Sequence, residues 1–128
     1  MGLLIPPVVA QVASAGPSCA VRVGAFATDL GKEFRVESAD ALGSSLRVLI
    51  AYSGIRLGSH KDEFRIALRL DNEREIMVSA ESESSRLGDS NRITVIFMRV
   101  SRGVHAVSVS LLDDGGKTII LDRLCKRV

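Results

Sequence analysis

Aromatic side chains are scarce in this chain: four phenylalanines, one tyrosine and no tryptophan. Rings of this kind build the stacking platforms that hold sugars and single-stranded nucleic acid, so their scarcity counts against both. Runs of like charge are missing too. The 17 Lys and Arg are interspersed with 15 Asp and Glu, leaving a formal net charge of +2. A nucleic-acid footprint would gather basic residues on one face, and no nucleic-acid partner is expected. No unbroken apolar stretch reaches the ~20 residues of a membrane-spanning helix, so no membrane partner is expected either.

Only two histidines are present, His60 and His105, and neither stands at metal-ligand spacing from Cys, Asp or Glu. His105, opening a strand after a tight turn, reads as a surface or hydrogen-bonded residue. Asp113-Asp114-Gly115-Gly116 lacks the further oxygen ligands of a calcium loop and suffices as a hairpin turn. The chain carries neither a Gly-x-Ser-x-Gly nucleophile elbow nor a glycine-rich phosphate loop. No metal, no cofactor and no catalytic residues are expected. The two cysteines, Cys19 and Cys125, read as buried free thiols, with a bridge between first and last strands as the alternative.

What the chain does have is strand rhythm. From Asn91 to Leu124 three apolar runs are separated by Ser-Arg-Gly and Asp-Asp-Gly-Gly. Gly accepts the positive φ of short loops, and the β-branched density disfavours a helix, so this stretch is expected to form a three-stranded meander. In the first run Ile93, Val95 and Phe97 alternate with Thr94, Ile96 and Met98, the pattern of a strand covered on both faces. In the second, Val107, Val109 and Leu111 alternate with Ser108 and Ser110, the half-buried pattern.

Upstream, the same alternation marks strands at 19–27, 33–39, 46–52, 64–70 and 75–81. With 92–100, 104–112 and 117–125 the expected total is eight. Arg65, Arg69, Glu33 and Glu37 fall at outward positions suited to cross-strand charge pairs. No connection has room for a crossover helix. The expected fold is therefore all-β: an antiparallel β-sandwich, eight-stranded, arranged as a jelly roll. At 128 residues the chain fits one domain that buries roughly two-thirds of its unfolded surface.

Two further regions invite a functional reading. Residues 1–18 are apolar and interrupted by Pro6, Pro7 and Pro17. Ala13-Ser14-Ala15 resembles a signal-peptide cleavage site, but no Lys or Arg precedes the apolar run and two prolines break it. We read an extended arm joined to a domain at 19–128, docking through Leu3, Leu4, Ile5, Val8, Val9 and Val12 on a neighbouring subunit, with a place along its own domain as the alternative. Polar segments at 53–63 and 82–91 are expected to be recognition loops, carrying Arg56, His60, Lys61, Arg86 and Asp89.

The order of these features resembles a known family. An apolar strand (Ile93–Val100), a short Gly-ended turn followed by His (Ser101–His105), an alternating Val strand (Val107–Leu111) and a Gly-containing hairpin are similar to the closing strands of jelly-roll head domains in phage tail fibres and related virion proteins. Leu70–Glu73 fits the middle of the same pattern. Those domains share the tumour-necrosis-factor-like fold. The resemblance implies a non-enzymatic virion component, assembled in the host cytoplasm as a homo-oligomer (a trimer is favoured) against neighbouring virion subunits, with a host-surface glycan as a further partner. An arm of 18 residues in place of a long shaft favours a capsid decoration protein or short head fibre. The alternative is a lectin-like or adhesion binding module of a bacterial or secreted protein.

Overall fold

The computed structural model describes residues 19–27, 30–78, 83–87 and 90–128, with 83–87 and 90 described by their backbone alone. Nine strands form among these residues: β1 (Val21–Val23), β2 (Glu33–Leu42), β3 (Ser45–Ser53), β4 (Arg65–Leu70), β5 (Ile76–Val78), β6 (Glu83–Leu87), β7 (Ser90–Phe97), β8 (Val104–Leu112) and β9 (Thr118–Arg127). They make two antiparallel sheets, sheet A in the order β1-β9-β8-β4-β5 and sheet B in the order β2-β3-β7-β6. No α-helix occurs among the described residues.

Period-two alternation explains how the sheets meet. In sheet A, the rows Ile66–Leu111–Ile120, Leu68–Val109 and Leu70–Val107 all point inward. In sheet B, Phe34, Val48, Ile50 and Ile93 do the same, and both sets belong to one buried cluster. Leu46, Val48, Ile50, Ile66, Ile93, Val107, Val109 and Leu111 are wholly removed from solvent. Burying a side chain of this size contributes about 1.5–3 kcal/mol, which is the main force holding the layers together. At one edge a polar link joins them. A bulge between Val36 and Ser38 frees the Val36 N–H, which donates to Asp122 Oδ2 at 2.9 Å. Arg22 donates to the same carboxylate at 3.1 Å and to the Phe34 carbonyl at 2.6 Å, tying β1 and β9 to β2.

Several expectations are corrected. Residues 82–90, read as a loop, contain β6, paired to β7; its Ser-rich composition lacks the apolar alternation by which strands are recognised in sequence. The expected first strand shrinks to Val21–Val23, because Gly24 takes a φ of 85° and packs against the Ile119 carbonyl, where no side chain would fit. Residues 91–124 are not a meander: β7 pairs with β3 and β6, while β8 and β9 form a hairpin in the other sheet. Residues 98–103 thus cross between sheets. Nor is β7 covered on both faces, since Ile96 is 50% and Met98 69% exposed.

The connectivity also differs from a jelly roll. β2–β3, β4–β5, β6–β7 and β8–β9 are each hairpins within one sheet, and successive hairpins alternate between sheets. A jelly roll is wound from Greek keys instead, in which a long connection returns a strand beside an earlier one. Exchanging β2–β5 with β6–β9 leaves both sheet orders unchanged apart from β1. The chain is therefore a topological duplication of a two-hairpin unit, joined at its centre by β3–β7 and β4–β8. Strand rhythm carries no information about which sheet the next strand joins, so this was hidden from the sequence.

Cys19 and Cys125 form a disulfide, with Cα atoms 5.1 Å apart. The register explains it: Val21 pairs with Arg123, and two residues further along the same antiparallel ladder Cys19 meets Cys125. The expected free thiols are overturned by a pairing between the two ends of the chain. Because the bridge spans 106 residues of sequence, it restricts the unfolded chain strongly. A Cys19→Ser/Cys125→Ser double variant should lose roughly 2–5 kcal/mol of stability. Urea titrations of both proteins would show it, and reducing the native protein should reproduce most of the loss.

Candidate interaction surfaces

The structure divides the expected recognition residues. Arg56, His60 and Lys61 share the loop between β3 and β4 and are exposed. This loop does not reach outward; it is folded back on itself. Gly58 N–H donates to the Phe64 carbonyl at 3.0 Å and Phe64 N–H to the Arg56 carbonyl at 2.9 Å. Glu63 Oε1 accepts from the His60 N–H at 2.8 Å and lies 3.0 Å from its Nδ1, which lowers the Glu63 pKa, the backbone hydrogen bond contributing most. Asp62 N–H reaches Asp114 Oδ2 at 3.1 Å, fastening the loop to the β8–β9 turn. In that turn Asp113 Oδ1 accepts from the N–H groups of Gly115 and Lys117, at 3.0 and 2.8 Å.

Arg86 sits on β6 rather than on a loop, and Asp89 lies outside the described residues. Leu87 pairs with Ser90 and Ser90 with Ser53, so the backbone does bring the two segments to one end of the sandwich. The arm residues Leu3, Leu4, Ile5, Val8, Val9 and Val12 lie outside the described residues.

At the opposite end, the outer face of sheet B exposes three apolar side chains among polar ones. Leu42 pairs with Ser45, and the β3–β7 ladder continued by one residue sets Met98 beside Ser45, with Met98 Sδ 3.5 Å from Ser45 Oγ. In the next row Ile96 stands opposite Arg47. Leu42 and Ile96 are half exposed and Met98 is more so. Cys19, through which residues 1–18 join the domain, is at this same end. The Ser44 carbonyl accepts from Val100 N–H there, and Gly103 and Val128 exchange backbone hydrogen bonds. Toward the far end this face turns polar, where Arg92 grips Glu37 through two hydrogen bonds of 2.8 and 3.2 Å. Those bonds hold the Glu37 carboxyl below its ordinary range. Among the outward charges expected in the sequence, Glu37 thus pairs with Arg92, while Arg65 turns to the carbonyls of Asp113 and Asp114.

The outer face of sheet A carries a cleft of roughly 360 Å³. Ala106, Ser108 and Ser110 line its floor along β8, and Arg69 on β4 and Arg123 on β9 stand on either side. Arg69 pairs with Ser108 and Ser108 with Arg123, so the three form one row across the sheet. Short side chains on the middle strand between long ones on its neighbours leave a trough. Arg123 Nε donates to Ser108 Oγ at 3.1 Å. Neither arginine makes an ion pair among the described residues. Asp71, Asn72, Glu75 and Leu121 complete the lining. The sequence shows Arg69 and Arg123 only as separate outward residues, because their alignment needs the strand register.

Beside the cleft, Asp71 takes a φ of 53° to end β4. Its Oδ1 accepts from Ala106 N–H at 2.8 Å, and Oδ2 lies 2.6 Å from His105 Nδ1. His105 Nε2 is 2.7 Å from the Ser101 carbonyl. Both ring nitrogens therefore face acceptors, and only the imidazolium can donate to both. The hydrogen bond to Asp71, with that to Ser101, raises the His105 pKa against the effect of burial. Burial pushes Asp71 up, but hydrogen bonds from His105 and the Ala106 N–H outweigh it and leave its pKa lowered.

Comparison with protein-family models, with curated proteins and with solved structures returned no match.

The pair makes stability depend on pH in a defined direction. His105 is raised above 6.5, so its stabilisation is full below that value and is lost as pH climbs through the folded pKa. Asp71 is lowered below 3.8, so its contribution is present above that value and is lost as pH falls through the folded pKa. The pair stabilises most between those two values. In urea titrations at about pH 5 and about pH 9, the native protein should lose more stability on going alkaline than a His105→Gln variant does. Equal losses would remove the ion pair from the account.

Proposed function

We propose that this chain is a non-enzymatic structural component of a viral particle, a capsid decoration protein or the head domain of a short fibre. Its work is assembly: an apolar leading segment and an apolar surface join copies of the chain to one another and to neighbouring virion subunits. The observation that carries this reading is the exposure of Leu42, Ile96 and Met98 in two neighbouring rows of sheet B, at the end of the sandwich where Cys19 lies. Apolar side chains left exposed close together are found at interaction sites. Covering what is still exposed of these three side chains would contribute about 1 kcal/mol each before ordering costs are subtracted. A disulfide also suits a particle that leaves the reducing cytosol, since virion surfaces keep such bridges oxidised.

Deleting residues 1–15 should leave a folded domain with its disulfide intact, judged by circular dichroism and thiol titration. Light scattering should then report a monomer where the full chain forms a closed oligomer, a trimer by expectation. Met98→Asp in the full chain, which leaves the core untouched, should weaken assembly at least tenfold. A full chain that stays monomeric at high concentration, or an oligomer indifferent to both changes, would remove the basis of the assembly reading.

A further inference from the structure

We infer that the trough on the outer face of sheet A is a binding site for an anionic saccharide, with the sugar's acid group held between Arg69 and Arg123 over the Ser108 hydroxyl. This inference is independent of the assembly reading, because its residues lie on the other sheet from Leu42, Ile96 and Met98.

Three observations lead to it. The first is the row itself. Adjacent strands lie ~4.8 Å apart, so Arg69 and Arg123 start ~10 Å apart, one on each side of Ser108, and both long side chains can lean over the middle strand. The second is charge. Arg123 is aimed by its 3.1 Å bond to Ser108, and neither guanidinium is neutralised by an ion pair among the described residues. Two carboxylates border the cleft. Asp71 has both oxygens engaged, by His105 and by the Ala106 N–H. Glu75 falls opposite Arg69 when the β4–β5 register is continued by one residue, yet makes no ion pair with it. Planar guanidinium forks match the oxygens of a carboxylate or sulfate, and such charge-assisted hydrogen bonds are the strong ones.

The third observation selects a saccharide over a bare anion. Ser110, Asn72 and Glu75 offer hydroxyl, amide and carboxylate groups along the rest of the trough, a mixed set of donors and acceptors for sugar hydroxyls. Ala106 and Leu121, at opposite ends of the trough, each give an apolar contact for the carbon-bound face of a ring. Aromatic scarcity disfavours recognition by stacking, but a charged anchor does not need it.

Titration of the full chain with a sialylated trisaccharide, a galacturonate oligomer, a sulfated heparin octasaccharide, a neutral dextran oligomer and inorganic sulfate tests this. At least one acidic saccharide should bind, in preference to dextran and to sulfate alone, and should shift the amide resonances of Ser108 and Ser110. Whether carboxylated or sulfated sugars bind more tightly identifies the acid group. Arg69→Gln/Arg123→Gln should weaken that binding tenfold or more. Arg35→Gln/Arg47→Gln, which removes the same charge from the outer face of sheet B, should leave it within about twofold. Binding lost equally in both double variants would be non-specific charge attraction. That result, dextran or sulfate binding as tightly as the acidic sugars, or no binding by any of them, would overturn the site.

Discussion

Everything in this protein hangs on two antiparallel strand pairs facing each other across a dry interior, β3–β7 in one sheet and β4–β8 in the other. Their inward residues, among them Val48, Ile50, Ile66, Leu68, Ile93, Val107, Val109 and Leu111, are almost completely buried. Their outward residues form the two broad faces of the sandwich. Because side chains alternate strictly along a strand, a one-residue slip in either pair would carry the whole inward set to solvent. The burial that holds the sheets together therefore also fixes the outward rows. Arg69–Ser108–Arg123 and Leu42–Ser45–Met98 are as firmly aligned as the core, although they contribute little to it.

The same pairs explain the layout. Each half of the molecule supplies a hairpin to sheet B and the next hairpin to sheet A, and strand pairing between the halves is made at β3–β7 and β4–β8. Central strands are thus contributed equally by both halves, while β2, β5 and β6 lie at the edges. β1 has no counterpart in this scheme. It adds three residues to the free edge of β9, and its hold depends on more than its short ladder: the Cys19–Cys125 bridge at one end and the Arg22–Asp122 contact behind it.

The sequence made the strands legible where apolar and polar residues alternate, as in 33–39, 64–70 and 104–112. It failed where that alternation is missing or misleading. β6 is Ser-rich and was invisible. Ile96 and Met98 suggested a second buried face on β7, yet nothing among the described residues covers them. The candidate sites were less legible than the fold, for a related reason. A charged residue in a strand identifies itself as outward, but whether it stands beside another depends on pairings between strands distant in sequence. Arg69 and Ser108, or Cys19 and Cys125, become neighbours only through register. Local chemistry could place His60 near Glu63, because three residues of loop separate them; it could not place His105 on Asp71.

One end of the sandwich is cross-linked in ways that do not depend on burial. The disulfide, the Asp71–His105–Ser101 chain, the Val100–Ser44 hydrogen bond and the reciprocal Gly103–Val128 pair all gather there. This is where residues 1–18 join the domain at Cys19. A load arriving through that segment would meet β1, an edge strand with three paired residues, which would peel away residue by residue if hydrogen bonds alone held it. The bridge passes the load instead to β9, which runs along β8 for most of its length and so leads into the centre of sheet A. The same end displays Leu42, Ile96 and Met98. The disulfide and these exposed apolar side chains thus share one end of the sandwich.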